Sequence, residues 1–150
     1  MRGIFSGLLR MIPIPGLRQR GPLVAVLRLT GPIGMSTTLG RSSMSLALLA
    51  RDLETAFKLW GVRAVALIVN SPGGSPVQSN LIFSRIRALA EEHEVPVITF
   101  AEDVAASGGY WIACAGDEIY ADPNSIIGSI GVISAGFGFP EMLKKIGVER

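Results

Sequence analysis

The sequence is short of the groups that most often announce a function. It has one cysteine, Cys114, one histidine, His93, and three lysines, Lys58, Lys144 and Lys145. A lone cysteine cannot close an intramolecular disulfide, and no set of Cys and His has metal-ligand spacing, so no metal or organic cofactor is expected. No window of 18 residues is apolar without an Arg, a Pro or a polar cluster, which excludes a conventional transmembrane helix. Acidic residues are missing from the first 51 positions, which carry seven Arg, and the first acid is Asp52. Residues 52–150 carry seven basic and twelve acidic side chains. The pI near 9.0 therefore describes the front end, and the rest of the chain loses the simplest electrostatic case for binding nucleic acid.

What is present suits one globular domain: 150 residues, 49% apolar and 17% charged. Residues 1–21 read as a basic, acid-free, amphipathic extension. Bulky apolar residues mix there with Arg2 and Arg10 until Pro13 and Pro15 stop any helix, a pattern too broken for a secretory signal. Two readings stay open. The segment is a foot on an anionic membrane surface, held through Arg2, Arg10, Arg18 and Arg20, or it packs on the domain or on a partner subunit. Residues 22–150 form the domain.

Leu23–Leu29 is short, apolar and partly β-branched, as a buried strand should be. Ser42 and Ser43 are candidate caps for a helix whose face carries Leu46, Leu49, Leu53, Ala56, Phe57 and Trp60, with Gly61 as its stop. Trp60 is expected in the core. Val62–Val69 is a second strand, residues 79–94 a helix through Leu81, Ile82, Ile86 and Leu89, and Val95–Phe100 a third strand. Ser107–Ala115 reads as a short helix closed by Gly116, with Cys114 packed in the interior, and Glu118–Ala121 as a further strand. Asp117, Glu118 and Asp122 read as turn and surface groups. Alternating strands and helices predict an α/β fold with a mostly parallel sheet, covered on both faces and joined by right-handed crossovers.

In such sheets ligands are handled where loops leave the carboxyl ends of strands, and two glycine-rich loops sit there. The first, Asn70-Ser71-Pro72-Gly73-Gly74, lacks the lysine and spacing of a phosphate loop and serves either as a tight turn or as half of an oxyanion hole. In the second, Asp103-Val104-Ala105-Ala106-Ser107-Gly108-Gly109-Tyr110, Ser107 stands at a strand-to-helix bend between small neighbours. It is either a helix cap or a displayed nucleophile with Gly108 N–H as nearest oxyanion donor. The two loops together favour the nucleophile.

A serine nucleophile needs a base, and the residues do not provide an obvious one. His93 lies in Glu91-Glu92-His93-Glu94, at the charged end of a helix, and reads as a solvated surface group. Lys58, Lys144 and Lys145 lack the small apolar surroundings that depress a lysine pKa.

Three segments, N-S-P-G-G at 70–74, D-V-A-A-S-G-G-Y at 103–110 and A-D-P-N-S-I-I-G-S-I-G-V at 121–132, resemble the signal peptide peptidase A and SohB family of Ser-Lys peptidases. The resemblance spans about residues 22–150. It implies a Clp-protease/crotonase-like fold of repeated ββα units, ring-like homo-oligomers, Ser107 as nucleophile, and an oxyanion hole built from the N–H groups of Gly73, Gly74 and Gly108. It also implies that Gly128–Val132 flanks a substrate groove. In that family the general-base lysine follows the serine in a later segment, and Lys144 and Lys145 match the helical region before it. The expectation is therefore a C-terminally incomplete domain, inactive alone for want of the base.

The function so implied is a serine endopeptidase cleaving apolar, membrane-derived peptides such as signal peptides through an acyl-enzyme, at the inner membrane or in the cytoplasm. Two alternatives stand beside it: a crotonase-like acyl-CoA enzyme that uses the paired N–H groups without a serine, and a non-catalytic membrane-associated assembly module.

Overall fold

The computed structural model describes residues 21–34, 43–131 and 138–147. The extension at 1–20, Ser42 and Val132 lie outside the described residues. Strand β1 spans Leu23–Thr30, helix α1 Leu46–Lys58, β2 Val62–Ser71, α2 Pro76–His93 and β3 Val97–Ala106. Then come α3 at Gly108–Ala113, β4 at Glu118–Ala121, β5 at Ile126–Gly128 and α4 at Pro140–Lys145. The strands run in the order β1-β2-β3-β4, with β5 also on β3, and every pairing is parallel. This is the expected α/β architecture.

The strands are longer than their apolar runs, because parallel pairing continues into the polar residues that follow. Thus β2 reaches Ser71 and β3 reaches Ala106, past the expected end at Phe100. Their register slips on the way: Val69 faces Ala101, yet Ser71 faces Ala105. Glu102, Asp103 and Val104 of β3 lie opposite the single Asn70 of β2, a bulge that adds two residues to β3 just before the bend. β4 pairs with the first part of β3 and β5 with the last, so β5 stands beside the residues that precede Ser107.

Burial alternates along the strands. Leu29, Val65, Leu67, Val69 and Val97 point to one face and pack with Leu53 and Phe57 of α1, Ile82, Ile86 and Leu89 of α2, and Ile112 of α3. Burying each large side chain contributes roughly 1.5–3 kcal/mol. The opposite face differs from expectation: among the described residues Val24 and Val26 are exposed there, and Phe100 stacks on Tyr120 at 5.5 Å in the open. A continuous apolar run shows that both faces tolerate burial and does not show what covers them.

Helix ends correct several readings. α1 begins after Ser45, not Ser43, whose hydroxyl donates instead to Gly34 O at 3.2 Å. It ends at Lys58, so Trp60 falls beyond the last turn, where helical spacing no longer applies, and is 88% exposed. α2 starts at Pro76, with Ser75 Oγ accepting the Gln78 N–H, and stops at Glu94 in the left-handed conformation. Leu81 is exposed on it. Cys114 is exposed rather than buried, since α3 ends at Ala113 and the interior contacts pass to Ala113 and Ala115.

Asp117 is more than a surface group. Its carboxylate accepts the Val97 N–H at 2.8 Å and the Arg87 guanidinium at 2.8 Å, tying the entry of β3 to α2. The Val97 N–H, with Arg87 assisting, holds that carboxyl below the ordinary aspartate range. A lowered folded pKa gives stability that is present above the unfolded value and lost as pH falls through the folded one. Asp117→Asn should therefore be less stable than wild type at neutral pH, and the gap should close as denaturation midpoints are followed down through the acidic range; a constant gap contradicts the linkage. Leu67→Ala, in the fully buried centre of β2, should cost about 2–5 kcal/mol in urea unfolding. Trp60→Ala should stay within about 0.5 kcal/mol.

Candidate active site

All the strands end on one side of the sheet, and the two glycine loops meet there. Ser107 sits between β3 and α3 with φ 52° and ψ −120°. A non-glycine residue in that region is strained by about 1–3 kcal/mol and persists only where its surroundings hold it. The holder is on β5: the Ser107 N–H donates to Gly128 O at 2.7 Å. Ser107 is thus more than a helix cap, and its side chain makes no capping bond. It stands half-buried on a bend at the carboxyl end of a central strand.

The first loop is packed directly on this bend. A Cβ added to Gly73 would lie 2.7 Å from Gly108 N and 2.8 Å from Ser107 Cβ. Gly73 has φ 94° and Gly74 φ 149°, and a Cβ on Gly74 would run into the Ile33 carbonyl. Ile33 pairs with the loop on its other side, its N–H donating to Gly73 O and its carbonyl accepting from Ser75 N–H. Asn70 Nδ2 donates to Asp103 Oδ2 at 3.0 Å, joining the two loops at the surface.

The oxyanion donors separate on inspection. Gly73 N–H donates to Ser71 Oγ at 3.1 Å, so it is already engaged. Among the described residues no acceptor takes the N–H of Gly74 or of Gly108. Both belong to segments that abut Ser107, and two such N–H groups can stabilise charge developing on a carbonyl oxygen.

Among the described residues no histidine or lysine is hydrogen-bonded to the Ser107 hydroxyl. His93 ends α2, just before β3 begins, and Ser107 follows the other end of that strand, roughly 30 Å away for ten extended residues. It is half-buried rather than fully solvated, with Nε2 3.9 Å from the Glu92 carboxylate. Lys58 ends α1 at the same far side of the sheet and contacts Glu54 at 3.3 Å. Lys144 and Lys145 are exposed on α4. Among the described residues no cluster of three or more His, Cys, Asp or Glu could hold a metal.

Sequence reasoning had no role for Ser71 or Ser79, both fully buried. Ser71 carried a signal, since a serine two residues before a glycine N–H commonly bonds to it. Ser79 carried none: it lies one helical turn along α2, its hydroxyl donates to Ser75 O at 2.9 Å, and it fills the space where a Cβ on Gly108 would go.

A serine on such a bend beside open backbone donors is the arrangement that serine acyl-transfer chemistry uses. The sequence model of Peptidase family S49 matches residues 90–150, a stretch that holds the Ser107 motif and the Gly128 segment. That match, with the relatives that follow, bears out the resemblance to the signal peptide peptidase A family. The chain is 45% identical to Protease 4 of Haemophilus influenzae over 67% of its own length and 16% of that protein's. It is 40% identical to a putative signal peptide peptidase SppA of Enterococcus faecium over 58% of its length and 25% of that protein's. It is also 58% identical to a protein of Brucella melitensis named Na(+)/H(+) antiporter NhaA, over 96% of this chain and 20% of that protein. The chain thus spans a quarter or less of these relatives.

Gly73→Ala forces a Cβ against backbone at a positive φ and should cost about 1–3 kcal/mol. Gly34→Ala, whose Cβ would meet nothing within 4 Å among the described residues, should stay within about 0.5 kcal/mol. Urea midpoints of the two variants check the contrast.

Proposed function

We propose that this chain carries the nucleophile half of a serine peptidase of the Ser-Lys type. The observation that supports it most is Ser107 held at φ 52° and ψ −120° against the Gly73-Gly74 loop. A lysine outside the described residues takes the Ser107 Oγ proton. The oxygen attacks the scissile carbonyl carbon, and the resulting oxyanion lies between the N–H groups of Gly74 and Gly108. Collapse expels the amine, which leaves with the proton from the lysine, and water then releases the acyl group from Ser107. No step uses a metal or organic cofactor.

The substrates on this reading are apolar peptides, signal peptides among them, and the working form is a homo-oligomer. Residues 1–20 give peripheral contact with an anionic membrane surface, placing the protein at the inner membrane or in the cytoplasm beside it. No helix among the described residues is long and apolar enough to cross a membrane. Nucleic acid has no place in this reading. A crotonase-like acyl-CoA enzyme needs the paired N–H groups but has no use for a strained serine, and a non-catalytic assembly module needs neither.

Ser107→Ala in the natural gene product that carries these residues should lower peptide-ester hydrolysis by at least about a thousandfold and abolish labelling by a serine-directed fluorophosphonate. Turnover that survives the substitution rules the peptidase reading out.

A further inference from the structure

One buried hydroxyl beside the glycine loops has no part in the chemistry above. Ser71 ends β2 with 0% exposure. Its hydroxyl donates to Gly31 O at 2.7 Å, on the loop that leaves β1. Its Oγ accepts the Gly73 N–H at 3.1 Å. Its own carbonyl faces α3 so closely that a Cβ on Gly109 would come within 2.5 Å of it. One residue therefore touches the exit of β1, the glycine loop and the helix behind the nucleophile.

These contacts determine the direction of a peptide group. A hydroxyl has a single hydrogen, and Gly31 O takes it, so Oγ meets Gly73 only as an acceptor. That bond pins the Pro72–Gly73 peptide. The next peptide is fixed at its other end, because Gly73 O accepts the Ile33 N–H at 2.9 Å. In a planar trans peptide the N–H points opposite to the carbonyl. The Gly74 N–H is accordingly turned away from Ile33 and left open. Two adjacent glycines have many alternative conformations, including one with this peptide reversed.

We propose that Ser71 is a positioning residue for the oxyanion hole: it engages the Gly73 N–H and, through the Gly31 carbonyl, holds the loop so that Gly74 N–H is the donor paired with Gly108 N–H. This rests on the peptidase reading of Ser107. Ser71 touches no substrate and acts through the glycine loop. Its removal should weaken stabilisation of the oxyanion and leave ground-state peptide binding alone.

The test compares wild type, Ser71→Ala, Ser71→Cys and Ser107→Ala of the natural gene product on a peptide ester, with a peptide aldehyde as transition-state mimic and urea unfolding as a check on folding. Ser71→Ala should lower kcat about ten- to a hundredfold with KM within about twofold, and aldehyde affinity should fall by a similar factor. Ser71→Cys keeps the bulk with a weaker acceptor and should fall between. If either variant unfolds cooperatively and keeps wild-type kcat and aldehyde affinity, Ser71 is only structural and the proposal is wrong. Should Ser71→Ala fail to fold, Ser71→Cys decides alone. Wild-type turnover that persists in Ser107→Ala overturns the peptidase reading and this proposal together, which separates that failure from a failure of Ser71.

Discussion

The near-contact of Gly73 with Ser107 is the constraint on which the site depends. Neither residue sits in an ordinary conformation, and each occupies the space that a larger or relaxed partner would need. The sheet makes this meeting possible. Parallel pairing of β2 and β3 delivers both loops to the same end, and the bulge at Glu102–Val104 shifts the register so that Ser71 pairs with Ala105, just before the bend. Ser79 and Ser71 then fill the gaps beneath the three small residues of the bend. Small side chains are concentrated here because backbone must approach backbone, a need that apolar packing elsewhere in the domain does not share.

The division of labour within the molecule follows from this. Leu53, Phe57, Ile82, Ile86 and Leu89 secure the helices to one face of the sheet chiefly by apolar burial, with the Arg87–Asp117 pair as a polar tie at the entry of β3. At the carboxyl ends of the strands the fastenings become polar and directional: Ser107 N–H on Gly128 O, Gly73 N–H on Ser71, Ile33 N–H on Gly73 O. Burial tolerates slippage of a few tenths of an ångström, whereas a hydrogen bond between peptide groups fixes orientation. A rigid apolar body carrying a hydrogen-bonded rim is a sound way to aim backbone dipoles at a reacting atom.

Much of this was legible in the residues. The four strand segments and their order predicted the parallel sheet, since β-branched runs between helical periodicities have few other arrangements, while the short β5 is known only from the structure. Ser107 was legible from its small neighbours and its place after a strand, and the Gly73-Gly74 pair from the same logic. What escaped were features decided by geometry beyond local pattern. Trp60 had helical spacing and no helix to ride on; Cys114 had apolar neighbours and a turn that faced it outward. The open face of the sheet escaped for a different reason, because hydropathy records what a strand tolerates and carries no information about which element lies over it. The engagement of Gly73 N–H by Ser71 escaped because choosing between two adjacent amide groups depends on a few degrees of backbone rotation.

The bond from Ser107 N–H to Gly128 O also carries a consequence for when the site comes into being. The strained serine is held by a strand that lies later in the chain than the serine, with α3 and β4 between them. During synthesis, which proceeds residue by residue from the N-terminus, the bend therefore lacks this hydrogen bond until β5 has emerged and docked. Until then the hydrogen bond to the Ser107 N–H is missing, and only the packing of the Gly73 loop opposes its relaxation. The order in which the chain is made thus completes the bend at Ser107 only after the sheet beside it has gained its last described strand.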